Sequence, residues 1–215
     1  MSKNPQKGLE ASLLKAPIVP VMVIEDVKHA VPLARALVKG GLPVLEITLR
    51  TAAALDCIKA IVAEVEGAIV GSGTVLDAAQ LKQSEKAGCT FAVSPGCTSK
   101  ILQAAQDQDI ALLPASATPS EAMKLLEHGY ALQKFFPAEQ SGGAPYLASL
   151  SSPLPQIRFC PTGGITPALA TGYLKLPNVI TLGGSWMAPK ALVAEGKWDE
   201  IEKLAREAAF LRVAK

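Results

Sequence analysis

The sequence predicts an α/β chain, specifically a (β/α)8 TIM barrel with a short helix ahead of its first strand. Three observations carry that prediction. Short β-rich apolar runs occur eight times, starting roughly every 20 to 26 residues. Most intervals between them hold one amphipathic helical pattern, the order expected of parallel βαβ units. Several runs are apolar on both faces, as in Ile18-Val19-Pro20-Val21-Met22-Val23-Ile24, which suits a sheet covered on both sides.

Taken in order, residues 8–14 read as the extra helix. The strand candidates are residues 18–24, 44–49, 68–75, 91–95, 111–114, 132–137, 157–161 and 179–182. Helical patterns such as 27–38, 52–65 and 120–127 separate them, and residues 198–213 close the chain as a longer helix with Glu202 and Arg206 at i,i+4 spacing. No low-complexity linker or composition shift divides the chain, so residues 1–215 are expected to form a single domain. A doubly wound open sheet is the rival, but its GxGxxG fingerprint after the first strand is absent.

Composition removes several function classes. The chain is 49% hydrophobic and 19% charged, so a large core is expected and disorder is not. Net charge is +2, from 21 basic and 19 acidic residues without a basic stripe, so no nucleic-acid partner is expected. Cys57, Cys89, Cys97 and Cys160 lie far apart without metal-ligand spacing and read as buried free thiols. The first residues are polar with no apolar run behind them, and no run approaches the ~20 residues that span a bilayer. A cytoplasmic protein without a membrane partner is expected.

Chemistry concentrates at the strand ends, where an α/β barrel places its catalytic groups. Lys134 lies inside Leu132-Gln133-Lys134-Phe135-Phe136-Pro137-Ala138, and ammonium groups rarely belong in a short buried strand. Desolvation disfavours the charged amine and so favours a nucleophile, although a lysine at a strand end can also snorkel into water. Glu46, Thr48 and Arg50 share one face of the second strand by the period-2 rule. They read either as an internal ion pair or as a proton-transfer carboxylate with a guanidinium for a substrate carboxylate. The third strand ends in Val70-Gly71-Ser72-Gly73-Thr74-Val75, offering close backbone approach and a hydroxyl. Gly163-Gly164 and Gly183-Gly184-Ser185 follow strands seven and eight, as a phosphate cradle of backbone N–H groups requires. The two histidines, His29 and His128, fall in helical segments, so neither a metal site nor a hydrolytic triad can be assembled. An amine, a carboxylate, an arginine and a phosphate cradle together point to Schiff-base chemistry on a phosphorylated 2-oxo acid, with no metal and no cofactor.

These segments resemble the class I 2-keto-3-deoxy-6-phosphogluconate (KDPG) aldolases, a family that in many bacteria also acts as 4-hydroxy-2-oxoglutarate (KHG) aldolase. The resemblance runs through Leu45-Glu46-Ile47-Thr48-Leu49-Arg50-Thr51, Gly71-Ser72-Gly73-Thr74-Val75-Leu76, Ser94-Pro95-Gly96, Lys134-Phe135-Phe136-Pro137-Ala138-Glu139, Phe159-Cys160-Pro161-Thr162-Gly163-Gly164-Ile165 and Gly183-Gly184-Ser185-Trp186. It implies Lys134 as the imine former and Glu46 as the general acid/base. It further implies Arg50, Thr74 and Pro95 around the pyruvyl group, Thr162 in the substrate-binding motif, and Gly163, Gly164, Gly184 and Ser185 at the phosphate. A small-molecule substrate, a homotrimer and Entner-Doudoroff type metabolism follow from the same resemblance.

One segment departs from it. Where the family commonly has Pro-Gly and an aliphatic residue, this chain has Pro114-Ala115-Ser116. Ala115 is expected at negative φ or under strain, and Ser116 would bring a hydroxyl near the mouth. Either this is neutral drift in a loop or it alters recognition of the sugar hydroxyls. Two other functions fit the residues less well. A phosphosugar epimerase or isomerase would use Glu46 as base without an imine, and a non-catalytic sugar-phosphate binder would not need Lys134, Glu46 and Arg50 together.

Overall fold

The structure is a computed structural model that describes residues 5–211. Among the described residues there are nine parallel strands: β1 (Ile18–Met22), β2 (Val44–Thr48), β3 (Ile69–Gly73), β4 (Phe91–Val93), β5 (Ala111–Leu113), β6 (Ala115–Ser116), β7 (Leu132–Phe135), β8 (Arg158–Pro161) and β9 (Leu182–Gly184). The helices are α1 (Leu9–Leu13), α2 (Ala30–Lys39), α3 (Ala54–Glu64), α4 (Ala78–Lys86), α5 (Ser99–Gln106), α6 (Pro119–Glu127), α7 (Gly143–Ser149), α8 (Pro167–Leu174), α9 (Lys190–Ala194) and α10 (Trp198–Ala209). A 3-10 turn over Val27–His29 precedes α2, where the sequence suggested a continuous helix. Residues 212 and 213, predicted to extend the last helix, lie outside the described residues.

Local chemistry sets several helix starts. Asp77 accepts from the Gln80 N–H at 2.8 Å, and Thr98 caps α5 through the Ile101 N–H. Thr118 and Glu121 form a reciprocal capping box with Pro119 in the first turn of α6. The predicted pair Glu202–Arg206 forms at 2.5 Å, and Lys39 of α2 adds a second cation at 2.7 Å from Glu202, joining α10 to α2.

The predicted closed eight-stranded barrel is not what forms. The strands make two hydrogen-bonded sheets, of order β5-β4-β3-β2-β1-β9 and β6-β7-β8. Two local causes open the seams. Between β5 and β7 the Gln6 side chain takes the place of a strand pairing: its amide donates to the Leu112 and Leu132 carbonyls at 3.0 and 2.6 Å and accepts from the Leu132 N–H at 2.9 Å. Between β8 and β9 only single bridges form, Phe159 to Val179 and Thr162 to Gly183. The second segment uses one residue more than the first between those two points, a bulge that breaks the ladder. The predicted eighth strand, 179–182, accordingly shifts to Leu182–Gly184.

Both faces of the sheets are nonetheless apolar. The helices cover the outer face over a large cluster that includes Ile47, Ile58, Phe135 and Phe159. A second cluster gathers inward-facing residues of both sheets, among them Val44, Phe91, Leu132 and Cys160, with Leu9 and Leu13 of α1 inserted beneath. This inner packing draws mostly on the amino halves of the strands, with Val93, Leu113 and Cys160 nearer their carboxyl ends.

Candidate active site

A cavity of about 540 Å³ opens at those carboxyl ends. All ten residues singled out from the sequence line it: Glu46, Arg50, Thr74, Pro95, Lys134, Thr162, Gly163, Gly164, Gly184 and Ser185. Thr48 does not join them. Its hydroxyl donates to the Met22 carbonyl at 2.9 Å and ties β2 to β1.

Lys134 stands in β7, in register with Ala115 of β6 and Cys160 of β8. Register partners share a face, so this row points inward, while Gln133 and Phe135 point to the helices. The Lys134 Nζ lies 3.4 Å from Glu46 Oε1, and the two side chains are only 6% and 4% exposed. The contact is longer than an ordinary N–H···O bond, so the amine is held beside the carboxylate without being tightly locked to it. Burying such a pair carries a desolvation cost that an apolar pair would avoid. The Phe136 ring lies 5.2 Å from the same Nζ and covers one side of it. Beneath the pair, burial first and the Glu46 charge second raise the Cys160 thiol to about 12, against the opposing effect of Lys134, so the thiol stays protonated.

Glu46 reaches the cavity because Gly73 on the neighbouring strand has no side chain. A Cβ there would collide with the Glu46 carboxylate. The next residue, Thr74, has φ of 58° and is the one described non-glycine residue in the left-handed region. For a β-branched side chain this is a strained backbone, of the kind that concentrates at functional sites. Ala115 therefore takes negative φ. The Ser116 hydroxyl faces the helices rather than the mouth, donating to Gln133 Oε1 at 2.7 Å. The Gln133 amide in turn donates to the Ala122 and Tyr130 carbonyls.

The far wall is made of backbone. Gly163 and Gly164 have φ of 107° and 76°, which turns the chain sharply after β8. Gly183 and Gly184 serve another purpose, since side chains there would strike Thr162 and the Trp186 ring. Glu139 props this wall: its N–H donates to the Gly163 carbonyl at 3.1 Å, and its carboxylate accepts a hydrogen bond from the Tyr173 hydroxyl. Burial, followed by that carboxylate, pushes the Tyr173 hydroxyl up and keeps it a donor.

The sequence reading assigned no role to Glu139, Phe136 or Lys190. The first two follow Lys134 so closely that they read as part of its strand, and Lys190 reads as an ordinary surface lysine. Cys57, Cys89 and Cys160 are buried as expected, whereas Cys97 is half-buried. Among the described residues, no three His, Cys, Asp or Glu side chains gather as a metal site, and no helix is long and apolar enough to cross a membrane.

A buried amine beside a carboxylate, an arginine at the rim and a glycine-built wall on an α/β scaffold define an enzyme suited to an anionic carbonyl compound. Comparison with known proteins gives the family. The family model for KDPG and KHG aldolases matches residues 9–204, and the chain belongs to that family. It is 52% identical over 208 residues to the 2-dehydro-3-deoxy-phosphogluconate aldolase of Pseudoalteromonas atlantica, covering 97% of each chain. The KDPG aldolase structure from Zymomonas mobilis with 3-phosphoglycerate superposes with a TM-score of 0.91 at 47% identity, covering 97% of this chain and 98% of that one. The Legionella pneumophila enzyme, solved with pyruvate captured as a covalent carbinolamine, also gives 0.91, at 39% identity over 97% of this chain and 100% of that one.

Proposed function

We propose that this chain is a class I aldolase, a carbon–carbon lyase that cleaves 2-dehydro-3-deoxy-6-phosphogluconate to pyruvate and glyceraldehyde 3-phosphate. It also cleaves 4-hydroxy-2-oxoglutarate to pyruvate and glyoxylate. The observation that carries this reading is the buried Lys134 amine 3.4 Å from the Glu46 carboxylate in a cavity that also holds Arg50.

The unprotonated Lys134 attacks the C2 ketone to give a carbinolamine, which loses water to form an iminium. Arg50 pairs with the substrate carboxylate and orients C2 toward the amine. Glu46, through water, takes the proton of the C4 hydroxyl as the C3–C4 bond breaks. The bonding electrons pass into the iminium to give an enamine, and the aldehyde leaves. Glu46 or the water it orients returns a proton to C3, and water hydrolyses the resulting imine to release pyruvate and free Lys134. General acid–base assistance of this kind contributes typically about 10²–10⁴-fold. The phosphate rests on Gly163, Gly164, Gly184 and Ser185, while Thr74 and Pro95 border the pyruvyl end and Thr162 adds to substrate binding.

Family membership supports extending the reading to one catalytic domain, a cytoplasmic homotrimer and a place in Entner-Doudoroff type breakdown of sugar acids. The deciding experiment is borohydride reduction in the presence of pyruvate, followed by peptide mass analysis. A stable adduct on the peptide holding Lys134 is expected. Active enzyme that leaves Lys134 unmodified would overturn the mechanism.

A further inference from the structure

The glycine wall presents neutral backbone groups to a substrate end that carries close to two negative charges. Among the described residues lining the cavity, the cations are Arg50, Lys134 and Lys190, and Glu46 is the only carboxylate. In the reading above, Arg50 is taken up by the substrate carboxylate and Lys134 must be neutral to attack. That leaves Lys190 to balance the far end.

Its placement suits that task. The chain turns back after β9, with the Ala188 N–H donating to the Ser185 carbonyl at 3.1 Å, and so brings Lys190 to the same cavity as Gly184 and Ser185. The Lys190 Nζ is held at 3.0 Å by Glu25, which follows β1. Both side chains are largely exposed, at 77% and 70%, and an ion pair so hydrated is weakly held and readily exchanged. Lys190 also lies on the partition between the catalytic cavity and a second one of about 250 Å³, which share Val23 and Ala188 with it. A swing of its flexible stem would carry the charge away from Glu25 toward the other residues of this cavity.

We propose that Lys190 is a specificity-determining residue that selects substrates bearing a phosphate at the aldehyde end, and that Glu25 holds it at the mouth until that phosphate arrives. This rests on the aldolase reading above. Lys190→Met should raise KM for the phosphorylated substrate on the order of tenfold relative to its dephosphorylated counterpart, with kcat for the phosphorylated substrate within about twofold. Inhibition by inorganic phosphate should weaken by a similar factor. Glu25→Gln should leave KM for the phosphorylated substrate unchanged or lower it. Equal effects of Lys190→Met on both substrates, no effect on either, or a Glu25→Gln variant that raises KM as Lys190→Met does would each overturn the assignment. Borohydride trapping with pyruvate separates the two readings. Labelled Lys134 together with an unshifted substrate preference removes Lys190 alone, whereas absence of label in active wild-type protein removes the aldolase mechanism.

Discussion

The two walls of the cavity are built on opposite principles. The wall from β2 and β7 works through side chains that are almost fully buried, Glu46 and Lys134, held in register by strand pairing. The wall after β8 and β9 works through missing side chains, with Gly163 and Gly164 supplying a turn and Gly183 and Gly184 admitting neighbours. Chemistry that makes and breaks a covalent bond needs a nucleophile placed to within a fraction of an ångström, which a strand in a packed sheet provides. Holding a phosphate requires several donors pointing at one place, and backbone N–H groups freed from side chains provide that.

The contrast can be broken from either side. Lys134→Met should have the largest effect, lowering kcat at least about 10⁴-fold, because the proposed imine-forming amine is gone. Steady-state cleavage assays measure this, and residual activity within a hundredfold of wild type would show that the wall does not act through an imine. Glu46→Gln should cost about 10²–10⁴-fold in kcat while Lys134 still forms an adduct with pyruvate. Gly73→Ala tests the same carboxylate without altering it. By driving Glu46 from its place the added methyl should cost on the order of 10²-fold, and near-normal turnover would mean the geometry of Glu46 is not critical.

Gly164→Ala attacks the other wall. It combines a left-handed backbone with a Cβ placed 2.9 Å from that of Glu139. KM for the phosphorylated substrate should rise about tenfold, with a smaller change in pyruvate adduct formation. If substrate affinity and adduct formation fall by the same factor, the two walls are mechanically coupled and the contrast fails. The smallest effect is expected far from either wall. The Ala117 N–H, with help from Thr118, holds the Glu121 carboxyl below its ordinary value. A lowered value in the folded state means the contribution is present above the ordinary glutamate range and is lost as pH falls through the lowered value. Glu121→Gln keeps the capping acceptor and loses only the charge at an exposed helix start, so it should cost about 0.3–0.5 kcal/mol at neutral pH, and the difference from wild type should shrink in acid, as urea melts at several pH values would record.

Much of the reactive wall was legible in advance because its signals are local. A lysine inside an apolar run and three polar residues at period-2 spacing can be read within seven residues each, and the structure places Lys134, Glu46 and Arg50 on one cavity. The local rule overreached at Ser116, whose strand parity turns it toward α6, while Thr48, placed only on the face of Glu46 and Arg50, spends its hydroxyl on the Met22 carbonyl. Lys190 was missed because its partner Glu25 lies 165 positions away in the chain.

The sequence by itself determined the alternation of strands and helices, the apolar character of both sheet faces and the family, since each rests on periodicity or on motifs within short stretches. Only the tertiary structure decided whether the sheet closes. Gln6 reaches carbonyls 106 and 126 positions away, and one extra residue between β8 and β9 breaks the other seam. It also decided the strained φ of Thr74 and the 3.4 Å approach of Lys134 to a carboxylate 88 residues distant. Such features depend on how strands far apart in the chain come to lie side by side, and no local pattern of residues carries that information.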